Sequence, residues 1–163
     1  MYLSQINTYP IKSTHPISVK GSFLSATGVS LDRHWMLVDD QNAMLTSRKH
    51  PKLLHIFTQA EGRHLRVILP HGEFLLPLKP QQPSQTIMVQ HWGAEPLLAW
   101  PQNDALDLAL SDYLGLTCRL VYSASLYAAG QDVAGVSFAD AQPVLLTTTA
   151  SLQGLNDRLD EPM

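Results

Sequence analysis

A chain of 163 residues and 18.0 kDa is the size of one domain, or of one domain plus a fragment of another. With 45% hydrophobic and 15% charged residues, it has the composition of a globular protein able to bury a real core. Eleven basic against fourteen acidic residues give a net charge of −3, without the collected basic excess that a nucleic-acid binder shows.

The lone cysteine, Cys118, excludes an internal disulfide framework and fits a reducing compartment. Pro10 and Lys12 interrupt the N-terminal stretch where a signal peptide needs unbroken apolar residues. No segment approaches the ~18 consecutive apolar residues of a membrane helix. The expectation is a soluble cytoplasmic protein with no membrane or nucleic-acid partner. Eleven Pro and nine Gly spread along the chain point to many short elements and turns.

In chain order, residues 3–9 and 17–26 read as strands, separated by the Pro10 and Pro16 region. Residues 34–40 form an apolar run ending in the turn composition Asp39-Asp40-Gln41-Asn42. With a return over 43–48 they predict a hairpin. Residues 53–60 and 64–69 flank Glu61-Gly62-Arg63 as a second hairpin. Residues 73–78, 86–93 and 95–100 continue the strand pattern. A helix then starts at Asn103 as N-cap and stops at Gly115, with Leu106, Ala109, Leu110, Tyr113 and Leu114 on one face. Residues 118–123 return as a strand and 124–137 read as a loop. Residues 143–148 read as a buried strand, and Ala150–Leu159 as a helix with Leu152, Leu155 and Leu159 inward.

The fold class expected is mainly β with few helices (α+β). Closing many short strands into a small barrel removes their exposed edges.

Generic signatures of nucleophilic, phosphate-loop, dinucleotide or zinc-protease chemistry are absent from the sequence. The seven histidines lack the tight spacing of a structural zinc site. Three stretches stand out: Tyr9-Pro10-Ile11-Lys12-Ser13, Leu31 to Asp39, and Met44 to Leu53. They put Lys12, Ser13, Arg33 and Arg48 near strand ends, where a barrel mouth would gather them. Cations with a hydroxyl neighbour make an anion site. The bland alternative is cations that merely solvate a barrel rim.

The order of these stretches resembles the MOSC N-terminal β-barrel domain, which precedes a MOSC domain in amidoxime-reducing and bacterial YcbX-like reductases. A fourth stretch, over 136–156, looks like the opening strand and helix of the MOSC domain itself. The resemblance implies a barrel domain over 1–123, then a linker and an incomplete MOSC domain over 124–163. It implies a molybdenum cofactor (a molybdopterin), with Lys12, Ser13 and Arg33 at positions that contact it and Arg48 at a further basic position. Reduction of small N-hydroxylated substrates, an iron–sulfur or haem electron donor and the remainder of the MOSC domain as partner are implied too. Molybdenum-ion binding and pyridoxal phosphate binding belong to the same set of expectations.

The family's metal-binding cysteine lies downstream of the last helix, beyond the residues present here, so no metal ligand or catalytic residue is assigned. Cys118, in an apolar strand, is expected to be a buried structural thiol. His15-Pro16 stands where the family has a basic residue and Gly, and Ala141-Gln142 where relatives carry hydroxyl residues. Two readings remain. The chain is part of a molybdenum-cofactor oxidoreductase, inactive and without retained cofactor by itself, or it is a stand-alone barrel that binds a small anion or a protein partner. On the first, amidoxime or hydroxylamine added to this chain alone is expected not to turn over. Reduction above a metal-free control in an amine-release assay would refute that.

Overall fold

The apolar run that starts at Trp35 lies at the centre of the structure because both of its faces are buried. In the computed structural model, residues 2–92, 95–128 and 137–162 are described. The chain runs through β1 (Ile6–Thr8), β2 (Ile17–Val19), β3 (Leu24–Ser25), β4 (Gly28–Val29) and β5 (Trp35–Asp39). A 3-10 turn at Pro51–His55 leads to β6 (Phe57–Glu61), β7 (His64–Leu69) and β8 (Gly72–Pro77). Then follow β9 (Ile87–Val89), β10 (Leu97–Pro101), α1 (Asp104–Leu114) and β11 (Cys118–Ser123). The short α2 (Ser125–Ala128) and α3 (Thr149–Asn156) complete the order.

Four strands form an antiparallel sheet in the order β5-β11-β10-β9. The sheet curls. Residues 42–45 close the gap between its ends through bridges Val38↔Met44 and Ala43↔Gln90, with Met44 N–H donating to the Gln90 carbonyl at 3.2 Å. Asp39 shapes this return, its carboxylate accepting from the Gln41 and Ala43 N–H groups at 3.0 and 2.8 Å, while Asn42 takes φ 61°. The hairpin expected over 34–48 is present, with its second arm reduced to bridges.

Because side chains alternate along a strand, β5 serves two cores. Met36 and Val38 meet Val89, Ala99, Val121 and Phe138 inside the curl. Trp35 and Leu37 face Leu120, Tyr122 and α1 outside it, together with Leu65, Val67 and Leu76 of the β6-β7-β8 sheet. Each fully buried large side chain contributes roughly 1.5–3 kcal/mol. The structure is thus the mainly β, α+β barrel-type fold expected from the sequence.

The helix signals are accurate at α1. Asn103 Oδ1 accepts from the Leu106 N–H at 2.9 Å, and Gly115 sits at φ 77°. Leu106 and Leu110 are fully buried against the sheet. Cys118 is buried there too. Its N–H donates to the Ser111 hydroxyl at 3.0 Å, and burial pushes its thiol pKa up, as befits a structural thiol.

Three expectations need correction. Residues 17–26 split into β2 and β3, since Gly21 and its neighbours turn the chain between two separate pairings. Pro51 seeds a 3-10 turn where the strand was expected to begin at 53. Residues 143–148 form no strand. Leu145 is 82% exposed, because among the described residues no strand offers the run a ladder. Helix α3 forms, capped by Thr148, whose hydroxyl accepts from Ser151 N–H at 3.0 Å. Its expected inner residues Leu152, Leu155 and Leu159 are exposed. Of the loop expected over 124–137, residues 129–136 lie outside the described ones.

Asp107 on α1 accepts from the Leu120 N–H at 2.7 Å, and burial raises its carboxyl pKa to about 6. A raised folded-state pKa means the native state holds its proton longer than the unfolded chain, so stability falls as pH rises from about 4 to 6. Asp107→Asn keeps the acceptor without the charge. The variant is expected to melt higher than wild type at pH 7 and to converge with it below pH 4; equal melting temperatures at pH 7 would refute this.

Candidate functional site

The rim of the curled sheet is assembled where residues 9–12 run beside residues 33–35. Lys12 N–H donates to the Trp35 carbonyl at 2.8 Å, Trp35 N–H to the Pro10 carbonyl at 3.0 Å, and Arg33 N–H to the Tyr9 carbonyl at 2.7 Å. These ties hold Ser13 at φ 66° and Arg33 at φ 55°, left-handed conformations that side chains with a Cβ rarely adopt.

Residues 137–143 lie across this rim. Phe138 fills the inner core, and its N–H donates to the Arg33 carbonyl at 3.1 Å. Its own carbonyl accepts from Lys12 Nζ at 2.9 Å. Asp140 accepts from Lys12 Nζ and from the Trp92 indole N–H. The Pro143 carbonyl accepts from Arg33 Nη2 at 3.0 Å. Gly28 is needed at this seam: at φ 108° a Cβ there would meet the Pro143 carbonyl oxygen at 2.5 Å.

Lys12 is only 5% exposed. Burial lowers its pKa, and the Asp140 hydrogen bond and charge oppose that. Asp140 would be raised by its own burial, but Lys12 and Trp92 outweigh this and hold it below the usual carboxylate range. Arg33 pairs with Asp32, whose other oxygen accepts from the Tyr9 N–H at 2.7 Å. Arg48 stays exposed, its guanidinium 4.7 Å from the centre of the Trp92 ring. Lys12 Nζ lies 5.8 Å from the same ring.

The four residues singled out from the sequence therefore differ in placement. Lys12 and Arg48 converge on Trp92, and Arg33 is close enough to Lys12 for its charge to lower the ammonium's pKa. Ser13 follows Lys12 at the half-buried edge. His91, Trp92 and Asp140 carried no role in the sequence reading, yet they complete the cluster. Trp92 adopts φ 50°, rare for a bulky residue. His91 is 5% exposed, and its Nε2 is buried without a hydrogen bond, 4.0 Å from the Asp140 carboxylate. Burial and then the Lys12 charge lower its pKa. Only the closure of β9 against residues 42–45 brings this pair to the rim. Among the described residues no group of three or more His, Cys, Asp or Glu could hold a metal ion.

A family model described as the MOSC N-terminal beta barrel domain matches residues 1–117. The chain belongs to this family. The chain is 28% identical over 172 residues to mitochondrial amidoxime-reducing component 1 of Mus musculus, covering 97% of this chain and 51% of that protein. The protein of the same name from Xenopus laevis is 25% identical over 177 residues, covering 99% of this chain and 52% of its own length. A molybdenum cofactor sulfurase of Solanum lycopersicum is 39% identical over 57 residues, or 35% of this chain and 7% of that protein. The chain spans about half the length of the amidoxime-reducing relatives it matches.

The seating of residues 137–143 against the barrel depends on Phe138, which is fully buried in the inner core. Phe138→Ala is expected to cost about 3–5 kcal/mol of unfolding free energy, read from urea melts. A loss below about 1 kcal/mol would mean that the ring contributes little to the inner core.

Proposed function

We propose that this chain is the N-terminal part of a molybdenum-cofactor-dependent oxidoreductase acting on N-hydroxylated compounds, with a barrel rim that helps bind the pterin phosphate and shape the substrate site. The observation that carries the reading is a buried ammonium, Lys12, at a rim shared with Arg33 and Arg48, in a barrel whose relatives include amidoxime-reducing components and a molybdenum cofactor sulfurase.

The residues present suit such a group. Lys12, Arg33 and Arg48 supply positive charge for a phosphate, and Ser13 supplies a hydroxyl beside them. The unpartnered Nε2 of His91 leaves one further polar atom at the same corner. When bound, the cofactor supplies the redox chemistry and the protein supplies position and electrostatics. The exposed apolar residues Leu145, Leu146, Leu152 and Leu155 suit burial against the rest of a MOSC domain, with which this half would act. An iron–sulfur or haem protein would deliver electrons. A lone buried thiol suits a reducing compartment, and we assign the protein to the cytoplasm; among the described residues no helix is long and apolar enough to cross a membrane.

One observation favours the alternative of a barrel module without redox chemistry: Lys12 and Arg33 already have partners within this chain, in Asp140, Asp32 and the Pro143 carbonyl. Intact mass and molybdenum content of the protein purified from its source separate the two. A mass well above 18.0 kDa with about one molybdenum per chain is expected for the reductase. A mass of 18.0 kDa without metal would refute it in favour of the module.

A further inference from the structure

A cavity of about 360 Å3 opens where the end of β11 and α2 meet the β3-β4 hairpin and the chain just past β8. Leu31, Leu78 and Leu126 give it apolar walls, and His34 and Tyr122 bring polar groups to it. None of the residues around it belongs to the Lys12 cluster. The sheet fixes the polar pair: Ser123 N–H donates to the His34 carbonyl at 3.0 Å, and Tyr122 pairs with Trp35 across β11 and β5. Neither polar head has a partner. The His34 imidazole makes no hydrogen bond among the described residues, and its Nδ1 is buried. Tyr122 is only 6% exposed, and its hydroxyl has no hydrogen bond among those residues either.

We propose that this cavity binds a single-ring phenol, whose hydroxyl meets His34 and Tyr122 and whose ring lies among the leucines. The inference goes beyond the proposed function and needs neither a molybdenum cofactor nor the cations of the rim. It also gives a role to His34, which lies in the Leu31–Asp39 stretch beside Arg33.

The polar pair selects an uncharged hydroxyl. Burial pulls the His34 pKa down to about 4, so the imidazole is neutral at pH 7 and offers no charge to an anion. Burial also pushes the Tyr122 pKa up, which keeps its hydroxyl protonated. Lys79 lines the cavity too, but it is exposed, and an ion pair in water is worth little. With Nδ1 sealed in the wall, the other ring nitrogen of His34 is the one left to a ligand. A hydroxyl both donates and accepts, so it matches either tautomer of the imidazole while pairing with the Tyr122 hydroxyl. A hydrocarbon would leave both groups unpaired.

The walls select a ring. The Tyr122 ring already meets His34 edge-on at 6.1 Å and Trp35 edge-on at 5.2 Å between centroids, the geometry in which aromatic groups attract one another. A further aromatic ring extends that cluster, with leucine side chains to cover its faces. The volume is at the low end of the roughly 300–1,000 Å3 of small-molecule cavities, which suits one ring.

The test is titration of the full chain with p-cresol, toluene and benzoate, followed by the methyl resonances of Leu31, Leu78 and Leu126. Saturable shifts of all three leucines are expected with p-cresol, at about tenfold lower concentration than with toluene or benzoate. Tyr122→Phe removes only the hydroxyl. It is expected to weaken p-cresol about tenfold and to leave toluene unchanged. His34→Leu should show the same selective loss, and Tyr122→Phe decides the matter if that variant does not fold. Toluene binding as tightly as p-cresol, benzoate binding more tightly, shifts that miss the three leucines, or an equal loss of p-cresol and toluene in Tyr122→Phe would overturn the proposal.

Discussion

Everything at the rim hangs on a strand that has no solvent face. The pairing of β5 with β11 runs over five residue pairs, from Cys118↔Asp39 to Tyr122↔Trp35, and side chains on both sides of it are buried. An antiparallel strand usually alternates apolar and polar residues; here the run is continuous because one face fills the curl and the other receives α1 and the β6-β7-β8 sheet. A strand so held cannot shift register without expelling two cores at once. The residues just before it inherit that rigidity. Arg33 and Lys12 are anchored by backbone hydrogen bonds to Tyr9 and Trp35, and the cations of the rim stand on fixed ground.

A buried cation imposes a second constraint. Desolvation penalises the charged form of Lys12, so something anionic has to stand at its head. That requirement, with the Phe138 ring seated in the inner core, draws residues 137–143 onto the barrel although they follow α2 in the chain. The same segment gives the Arg33 guanidinium its carbonyl partner at Pro143. Structural seating and ligand chemistry therefore use one set of groups. This is why the rim supports both a cofactor-holding reading and a self-contained module.

Much of the architecture was legible because it depends on short-range chemistry. The Asn103 cap, the Gly115 stop and the Leu106–Leu110 face are local signals, and they mark α1 to the residue. Residues 64–69 and 118–123 are strands with the bounds expected, since β-branched and apolar runs end there at turn residues. The failures share one cause. Residues 143–148 have the composition of a buried strand, but a strand forms only where a neighbour offers a ladder, and among the described residues none does. At 51–55 the fixed φ of Pro51 favoured a turn over extension.

The sequence by itself determined the composition class, most of the elements and three cationic positions near strand ends, because periodicity, caps and turn residues act within a few positions of themselves. It also carried the ordered motifs by which the family resemblance was read. What only the tertiary structure decided is which groups meet. The contact of Lys12 with Asp140 spans 128 positions and that of Trp92 with Asp140 spans 48, separations over which no local pattern constrains direction. Closure of the sheet through residues 42–45 and burial of Phe138 bring them together. Burial and charge pairing are properties of that three-dimensional packing, so the chemistry of the rim became readable only once the chain had folded.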